Sequence, residues 1–354
     1  MDNLHLNLIL YNVIVPIDSI ITLQLLNSML NYRYTYSSIL CPIVNLFAFS
    51  LILLWYKYKA PLEEKNKNIS QINIFTLAFF EFSELLLAVI AIPNISYLIV
   101  LILGKLVLVF TMVSNYFYLQ RRYLINHYLG VSIILIGVFL NINNKISNSE
   151  TNIYYLIIYI CSIGINAFKY TFKEKFIKKN KDLNIYWLSF YISSWQLLLG
   201  IIFIPLIFIP VNGLNIKPSN FLNYSKDSFQ CILGFNNEND KNCKYSLLWL
   251  FLTEIISLYI VYIVFIIVKK GSSVLCSIQN LLTIPTKALL TYFCFTYNII
   301  NVTTSQKFIF DKYDIISLIL VFIGTLIYLI KQEIFFEENI IIEIEIANPI
   351  QNNV

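Results

Sequence analysis

Charged residues are scarce in this sequence. Asp, Glu, Lys and Arg make up 13% of the 354 residues, whereas 58% are hydrophobic and the mean hydropathy is +0.70. A soluble domain usually contains about 25% charged residues. No soluble fold of this length could bury so much apolar surface. Lipid must therefore be the solvent for most of the chain.

Residues and motifs that carry catalysis or nucleic-acid binding are also missing. Three arginines in 354 residues cannot form a clustered phosphate-reading surface. The two histidines, His5 and His127, lie near predicted membrane edges, and no His/Cys cluster has the spacing of a zinc site. The chain has no G-x-x-x-x-G-K-[ST] loop for ATP and no paired aspartates or Ser/His pair for intramembrane proteolysis. The sequence therefore predicts no catalytic residue, no metal site, no cofactor and no nucleic-acid partner.

What the chain has instead is ten long apolar runs. A membrane-spanning helix needs about 20 mostly apolar residues. The runs predict ten transmembrane helices, which are residues 6–28, 37–56, 71–92, 97–119, 127–142, 152–169, 185–210, 246–268, 273–296 and 314–331.

Basic residues predict how these helices are oriented. With the N-terminus in the cytosol, fifteen Lys and Arg residues fall on the cytosolic side and eight on the other side. Cytosolic loops carry the excess of Lys and Arg in membrane proteins. We therefore expect both termini to be cytosolic and the acidic tail 332–354 to be cytosolic and disordered.

Two cysteines flank a short segment of the longest predicted lumenal loop, 211–245. Cys231 and Cys243 enclose ILGFNNENDKN on the side where disulfides form and persist. This placement favours a disulfide over two unpaired thiols. The other four cysteines lie in or beside spans, where they are expected to act as small hydrophobic residues.

Charged residues inside the predicted spans are the candidate functional residues. At about 1.5 Å per residue, Lys105, Lys287, Glu84 and Glu254 all lie near 12 Å below the lumenal surface, and Glu81 lies one turn deeper than Glu84. Charges at such depth are costly and usually face partners or water. Two interpretations stay open. The charges form one layer that lines a cavity, or they are structural, either as two ion pairs or as lysines that extend towards the lumen.

In the functional interpretation, each member of this layer has a role. Lys105 and Lys287 would hold a carboxylate or phosphate of the substrate, and Glu81 or Glu254 would hold an amine or the coupling proton. Glu84 completes the substrate-binding layer. Gln279 and Tyr97 join it as candidate substrate-binding residues because they lie on spans expected to line the cavity.

Five segments, in order, resemble one transporter family. They are FFEFSELLLAVIAI (79–92), RRYLINHYLGVSIILIGVFL (121–140), WQLLLGIIFIPLIFIP (195–210), the cysteine loop (229–243) and SSVLCSIQ (272–279). Their order and spacing resemble the chloroquine-resistance-transporter-like family of the drug/metabolite transporter superfamily. In the fourth span, Lys105 stands where that family usually has a proline.

The resemblance implies an all-α integral membrane fold with ten transmembrane helices, built as two inverted five-helix repeats around a central cavity. The repeats would cover residues 1–145 and 146–331. It further implies a secondary active transporter that exports short peptides, amino acids, thiols or drugs across a vacuolar or lysosome-like membrane, coupled to protons.

Two other functions remain open at this stage. A nucleotide-sugar or sugar-phosphate exchanger of the same superfamily would use intramembrane lysines to face a phosphate. A membrane receptor or scaffold would not need the charges inside the spans. The expected partners are a small-molecule substrate, protons and membrane lipid, and the oligomeric state is left open.

Overall fold

The computed structural model describes residues 2–29, 32–59, 69–95, 97–147, 153–180, 183–208, 217–236, 243–296 and 312–330. No β-strand forms within these ranges. The helices of seven or more residues are α1 (Asp2–Ser28), α2 (Cys41–Lys59), α3 (Gln71–Ala91), α4 (Tyr97–Leu103), α5 (Leu106–Tyr118), α6 (Ile125–Ser147), α7 (Ile153–Lys179), α8 (Ile185–Ile202), α9 (Phe221–Ile232), α10 (Ser246–Lys270), α11 (Ser273–Thr296) and α12 (Lys312–Leu329).

The long helices match the predicted spans. Nine segments of the described residues are long and apolar enough to cross a membrane, and each coincides with a predicted span. In lipid, every backbone polar group must be satisfied within the segment, so an apolar run of this length folds as a helix. The remaining predicted span is α11, which forms a helix of 24 residues but is more polar, with Gln279, Asn280 and Lys287 along it. Ten spans therefore stay a prediction.

The predicted fourth span is interrupted rather than continuous. A turn at Gly104 and Lys105 separates α4 from α5. Around it, the Lys105 amide donates to the Ile102 carbonyl at 3.2 Å and the Val107 amide donates to the Gly104 carbonyl at 3.3 Å. These i to i+3 bonds replace the α-helical pattern for one turn. Lys105 is thus placed at the break rather than on a helix face.

Four helix contacts join helices from opposite halves of the chain. α3 packs against α7, and α10 packs against α1; likewise α5 packs against α7, and α11 packs against α1. Three further pairs, α2 with α8, α5 with α11 and α6 with α12, each join one helix of the first half to one of the second. The bundle is therefore held together mainly by contacts between the two halves.

One end of the bundle carries a disulfide. Cys231 and Cys243 are bonded, with their Cα atoms 4.9 Å apart, and both side chains are fully buried. They pack against the end of α1, where the hydroxyl of Ser246 donates to that of Ser28 at 3.2 Å. The predicted disulfide is present in the structure. We call this the disulfide end and the other the opposite end.

Candidate functional site

One cavity of the bundle, here called the main cavity, has a volume of about 410 Å³. It is lined by residues of α1, α3, α4, α5, α7 and α11. Three ionisable residues with carboxylate or ammonium groups line it: Asp18 from α1, Glu84 from α3 and Lys287 from α11. Two of the predicted site residues, Glu84 and Lys287, therefore share one cavity.

Glu84 is already paired. Lys169 of α7 donates a hydrogen bond to its carboxylate, and the two form an ion pair. The Ser162 hydroxyl also donates to the Glu84 carbonyl at 3.0 Å. The Glu84 charge is therefore neutralised by the protein. Among the described residues that line the main cavity, Asp18 and Lys287 are then the opposite charges that form no ion pair within 4.0 Å.

A second, smaller cavity lies on another side of α3 and has a volume of about 220 Å³. Glu81 lines it, accepts a hydrogen bond from Gln196 Nε2 at 2.9 Å and lies 3.7 Å from Lys173 Nζ. Cys41 and four serines complete much of the polar lining. Glu81 is thus held by an amide and a cation and does not share a cavity with Glu84.

The two pairs form an ion-pair ladder between α3 and α7. Glu81 and Glu84 are nearly one turn apart on α3, and Lys169 and Lys173 are one turn apart on α7. Antiparallel packing of the two helices brings Glu84 to Lys169 and Glu81 to Lys173. The ladder lies between the main cavity and the small cavity, so it divides the space that the sequence predicted as one layer.

Lys105 lies outside both cavities. Its side chain is fully buried, and within the described residues no group accepts a hydrogen bond from its ammonium nitrogen. The carboxylate that acts on it electrostatically is Asp314 of α12, to which the Asn141 side chain donates a hydrogen bond. Lys105 therefore does not share the main cavity with Lys287.

Glu254 also lines neither cavity. It is 3% exposed, and within the described residues neither carboxylate oxygen accepts a hydrogen bond from an N–H or O–H donor. The thiol of Cys41, a weak donor, lies beside it. Four groups at one depth therefore do not converge on one cavity: Lys287 and Glu84 do, whereas Lys105 and Glu254 face separate helix contacts.

The two remaining candidates differ in their placement. Gln279 of α11 is buried and accepts a hydrogen bond from Asn12 Nδ2 of α1 at 2.8 Å, so it joins two helices next to the main cavity. Its neighbour Asn280 lines that cavity and accepts from the Tyr11 hydroxyl. Tyr97 begins α4, but its side chain lies outside the described residues.

The opposite end of the bundle is closed by a polar cluster around Glu174. This carboxylate is fully buried and pairs with Arg121 and Lys178, and it accepts from the Ser273 amide at 2.8 Å and the Ser273 hydroxyl at 2.6 Å. The cluster ties the end of α7 to the start of α11 and to the segment between α5 and α6. These are elements of both halves of the chain.

A polar seam continues this contact along α5 and α11. Asn115 Nδ2 lies 3.1 Å from the Ser273 hydroxyl, and the hydroxyls of Thr111 and Ser277 lie 2.9 Å apart one turn away. All four side chains are buried. The seam connects the Glu174 cluster to the interior of the bundle.

Sequence reasoning missed Asp18, Lys169, Lys173 and Glu174 as site residues. Asp18 gave a signal, because an acidic residue in the middle of an apolar run is rare. The other three lie at or beyond the predicted end of the sixth span at residue 169. The structure extends that helix to Lys179, since Lys169 and Lys173 find partners on α3 and Glu174 finds partners at the opposite end.

Comparison with known proteins places this chain in a family. Residues 4–328 match the model of the CRT-like, chloroquine-resistance transporter-like family. The chain is 22% identical to the chloroquine resistance transporter of Toxoplasma gondii over 286 residues, 75% of this chain and 32% of that protein. It is 21% identical to Crt homolog 3 of Dictyostelium discoideum over 238 residues, 65% of this chain and 50% of that protein. The chain thus spans one third to one half of the length of these curated relatives, and it belongs to the CRT-like family.

Proposed function

We propose that the protein is a secondary active transporter that exports small zwitterionic or charged solutes to the cytosol across a vacuolar or lysosome-like membrane. Short peptides, amino acids, thiols and drugs are the candidate substrates. The family match supports transport, and the name of the Toxoplasma gondii relative agrees with it. The observation that carries the proposal is the main cavity, because ionisable residues that line a cavity inside an apolar bundle mark solute pathways.

The proposed architecture is two inverted five-helix repeats, 1–145 and 146–331, with both termini cytosolic and the loop 211–245 in the lumen. The helix pairing supports it. If the first five spans correspond to the last five in order, α3 against α7 corresponds to α10 against α1, and α5 against α7 corresponds to α11 against α1. Inverted repeats of this kind place the solute site at their interface and open it to alternate sides.

For the coupling proton we propose Glu254 rather than Glu81. A buried carboxylate is costly in its charged form unless a cation or strong donors compensate it. Glu81 has both Lys173 and Gln196, whereas among the described residues Glu254 has the weakly donating Cys41 thiol beside it. Glu254 is therefore suited to bind a proton in one state and release it in another.

For Lys105 we propose a structural role, in which it joins the break between α4 and α5 to Asp314 of α12. A phosphate-binding exchanger would place cations of both α5 and α11 in one cavity. Of Lys105 and Lys287, only Lys287 lines the main cavity. This arrangement favours a zwitterion over a phosphate as substrate.

The experiment is release from proteoliposomes that have an acidic interior. A panel of short peptides, amino acids, thiols, drugs and sugar phosphates is loaded, and release is measured with and without the pH gradient. We expect zwitterions to be released and the gradient to accelerate them. Glu254→Gln should remove the acceleration, while Glu81→Gln, as the matched carboxyl control, should leave it in place. Exclusive release of sugar phosphates would establish the exchanger, and no release of any solute would support a receptor or scaffold.

A further inference from the structure

The main cavity contains two opposite charges that are not joined to each other. Asp18 enters from α1 and Lys287 from α11, and each acts electrostatically on the other. They do not form an ion pair within 4.0 Å. Two opposite charges in a low-dielectric interior gain most by direct contact, so a pair held apart leaves room for charges of a ligand between them.

Two hydrogen-bond acceptors without a partner lie on the Asp18 side of the main cavity. Oδ1 of Asp18 and Oδ1 of Asn166 are both buried, and within the described residues neither accepts a hydrogen bond. Both residues line the main cavity. A buried acceptor without a donor is costly, and an ammonium, with three N–H donors and a positive charge, can satisfy two such acceptors beside a carboxylate.

The rest of the lining is largely apolar. Around the charged groups lie aliphatic side chains from α3, α4, α5, α7 and α11, which are Ala88, Ile92, Val100, Leu101, Val107, Ile163 and Ile284. Because Lys169 neutralises Glu84, the uncompensated charges of the cavity are one carboxylate and one ammonium. Their sum is zero, which disfavours both a simple cation and a simple anion.

We propose that Asp18 and Asn166 bind the ammonium, and Lys287 the carboxylate, of a zwitterion that carries an apolar side chain. A free aliphatic amino acid or a short apolar peptide has this chemistry. The physiological role of this zwitterion as a transported solute rests on the proposed transport function. The binding itself can be measured without transport. Asp18 and Asn166 become specificity-determining residues that select for a free ammonium group.

The test is equilibrium binding to the purified full-length chain in detergent. Tritiated leucine is the probe, and leucinamide and 4-methylpentanoate are competitors that lack the carboxylate and the ammonium, respectively. Asp18→Asn and Lys287→Gln each remove one charge. Asp227→Asn and Lys226→Gln on α9, outside the main cavity, are the matched controls for the same chemical changes.

We expect wild-type protein and both controls to bind leucine alike. Asp18→Asn should weaken leucine and leucinamide by roughly 10-fold or more, the usual size for a lost hydrogen bond to a charged group. It should not weaken 4-methylpentanoate, and it should strengthen its binding if the loss of the Asp18 charge is felt at Lys287. Lys287→Gln should weaken leucine and 4-methylpentanoate but not leucinamide. This crossed pattern identifies which charge each residue binds, and a damaged fold would not produce it.

The assignment is overturned if neither leucine nor leucyl-leucine binds, if both variants keep wild-type affinity, or if each variant weakens all three ligands equally. The release of peptides, amino acids, thiols, drugs and sugar phosphates from proteoliposomes distinguishes a failure of this binding assignment from a failure of the proposed transport function. If other solutes are transported but leucine does not bind, only the binding assignment is wrong. If leucine binds and the two variants show the expected selectivity, but no solute is transported, only the transport function is wrong.

Discussion

Gly130 of α6 and Gly324 of α12 bring two helix backbones into direct contact. A β-carbon placed on Gly130 would lie 2.5 Å from the Gly324 carbonyl oxygen, and one placed on Gly324 would lie 2.6 Å from the Gly130 carbonyl oxygen. Small residues permit such close packing between helices in membranes. The contact joins one helix from each half of the chain.

The first prediction is that Gly130→Ala and Gly324→Ala destabilise the protein. The added methyl group meets backbone, which cannot move aside as a side chain can, so we expect a loss of about 1–3 kcal/mol. The measurement is thermal unfolding in detergent. Gly164→Ala on α7 is the control, because nothing lies within 4 Å of a β-carbon at that position. Equal melting temperatures for all three variants would contradict the close contact.

The second prediction concerns the ion-pair ladder between α3 and α7. Glu84→Gln and Lys169→Gln should each lower the melting temperature more than the double variant does, because each single change leaves one charge uncompensated. The same cycle at Glu81 and Lys173, whose charged atoms are 3.7 Å apart, should give a smaller coupling. Double-mutant cycles of thermal stability measure both couplings. Strict additivity at Glu84 and Lys169 would show that the two residues do not pair.

The third prediction concerns the disulfide end. Replacing both Cys231 and Cys243 by serine should lower stability, because the bond closes a loop over a sequence separation of 12 residues. A loop of that size contributes about 3 kcal/mol. A reducing agent should lower the melting temperature of the wild type but not of the double variant. Cys161→Ser, which changes an exposed free cysteine, should behave like the wild type.

The fourth prediction is the orientation in the membrane. Tags placed in 60–68 and after residue 331 should be cleaved by protease added to the cytosolic side of sealed vesicles, whereas a tag in 211–245 should be protected. The fifteen-to-eight distribution of basic residues motivates this expectation. Cleavage of the tag in 211–245 in intact vesicles would overturn the proposed orientation.

The positions of the helices could be predicted from the sequence because hydropathy along the chain reports burial in lipid directly. The disulfide could be predicted for a related reason, since its two cysteines lie 12 residues apart in one loop. Both are local properties. The extension of α7 to Lys179 could not be predicted, because Lys173 and Glu174 are compensated by partners that are far away in the sequence.

Cavity membership could not be predicted either. Lys105 and Lys287 have the same expected depth and the same kind of apolar neighbours in the sequence. Depth is only one coordinate, and the direction of each side chain depends on helix packing. Lys105 lies at the turn that follows α4 and lines neither cavity, whereas Lys287 lies on the face of α11 that lines the main cavity. The pairing of Glu84 with Lys169, 85 residues apart, likewise requires the tertiary fold.

The polar seam between α5 and α11 has a consequence for the speed at which the opposite end can open. Thr111, Asn115, Ser273 and Ser277 are buried and hydrogen-bond to one another in two pairs. Unmade hydrogen bonds in such a place cost several kcal/mol, so these groups separate only as water replaces each partner. Opening is then a hydration event, and an osmolyte that lowers the activity of water should slow it.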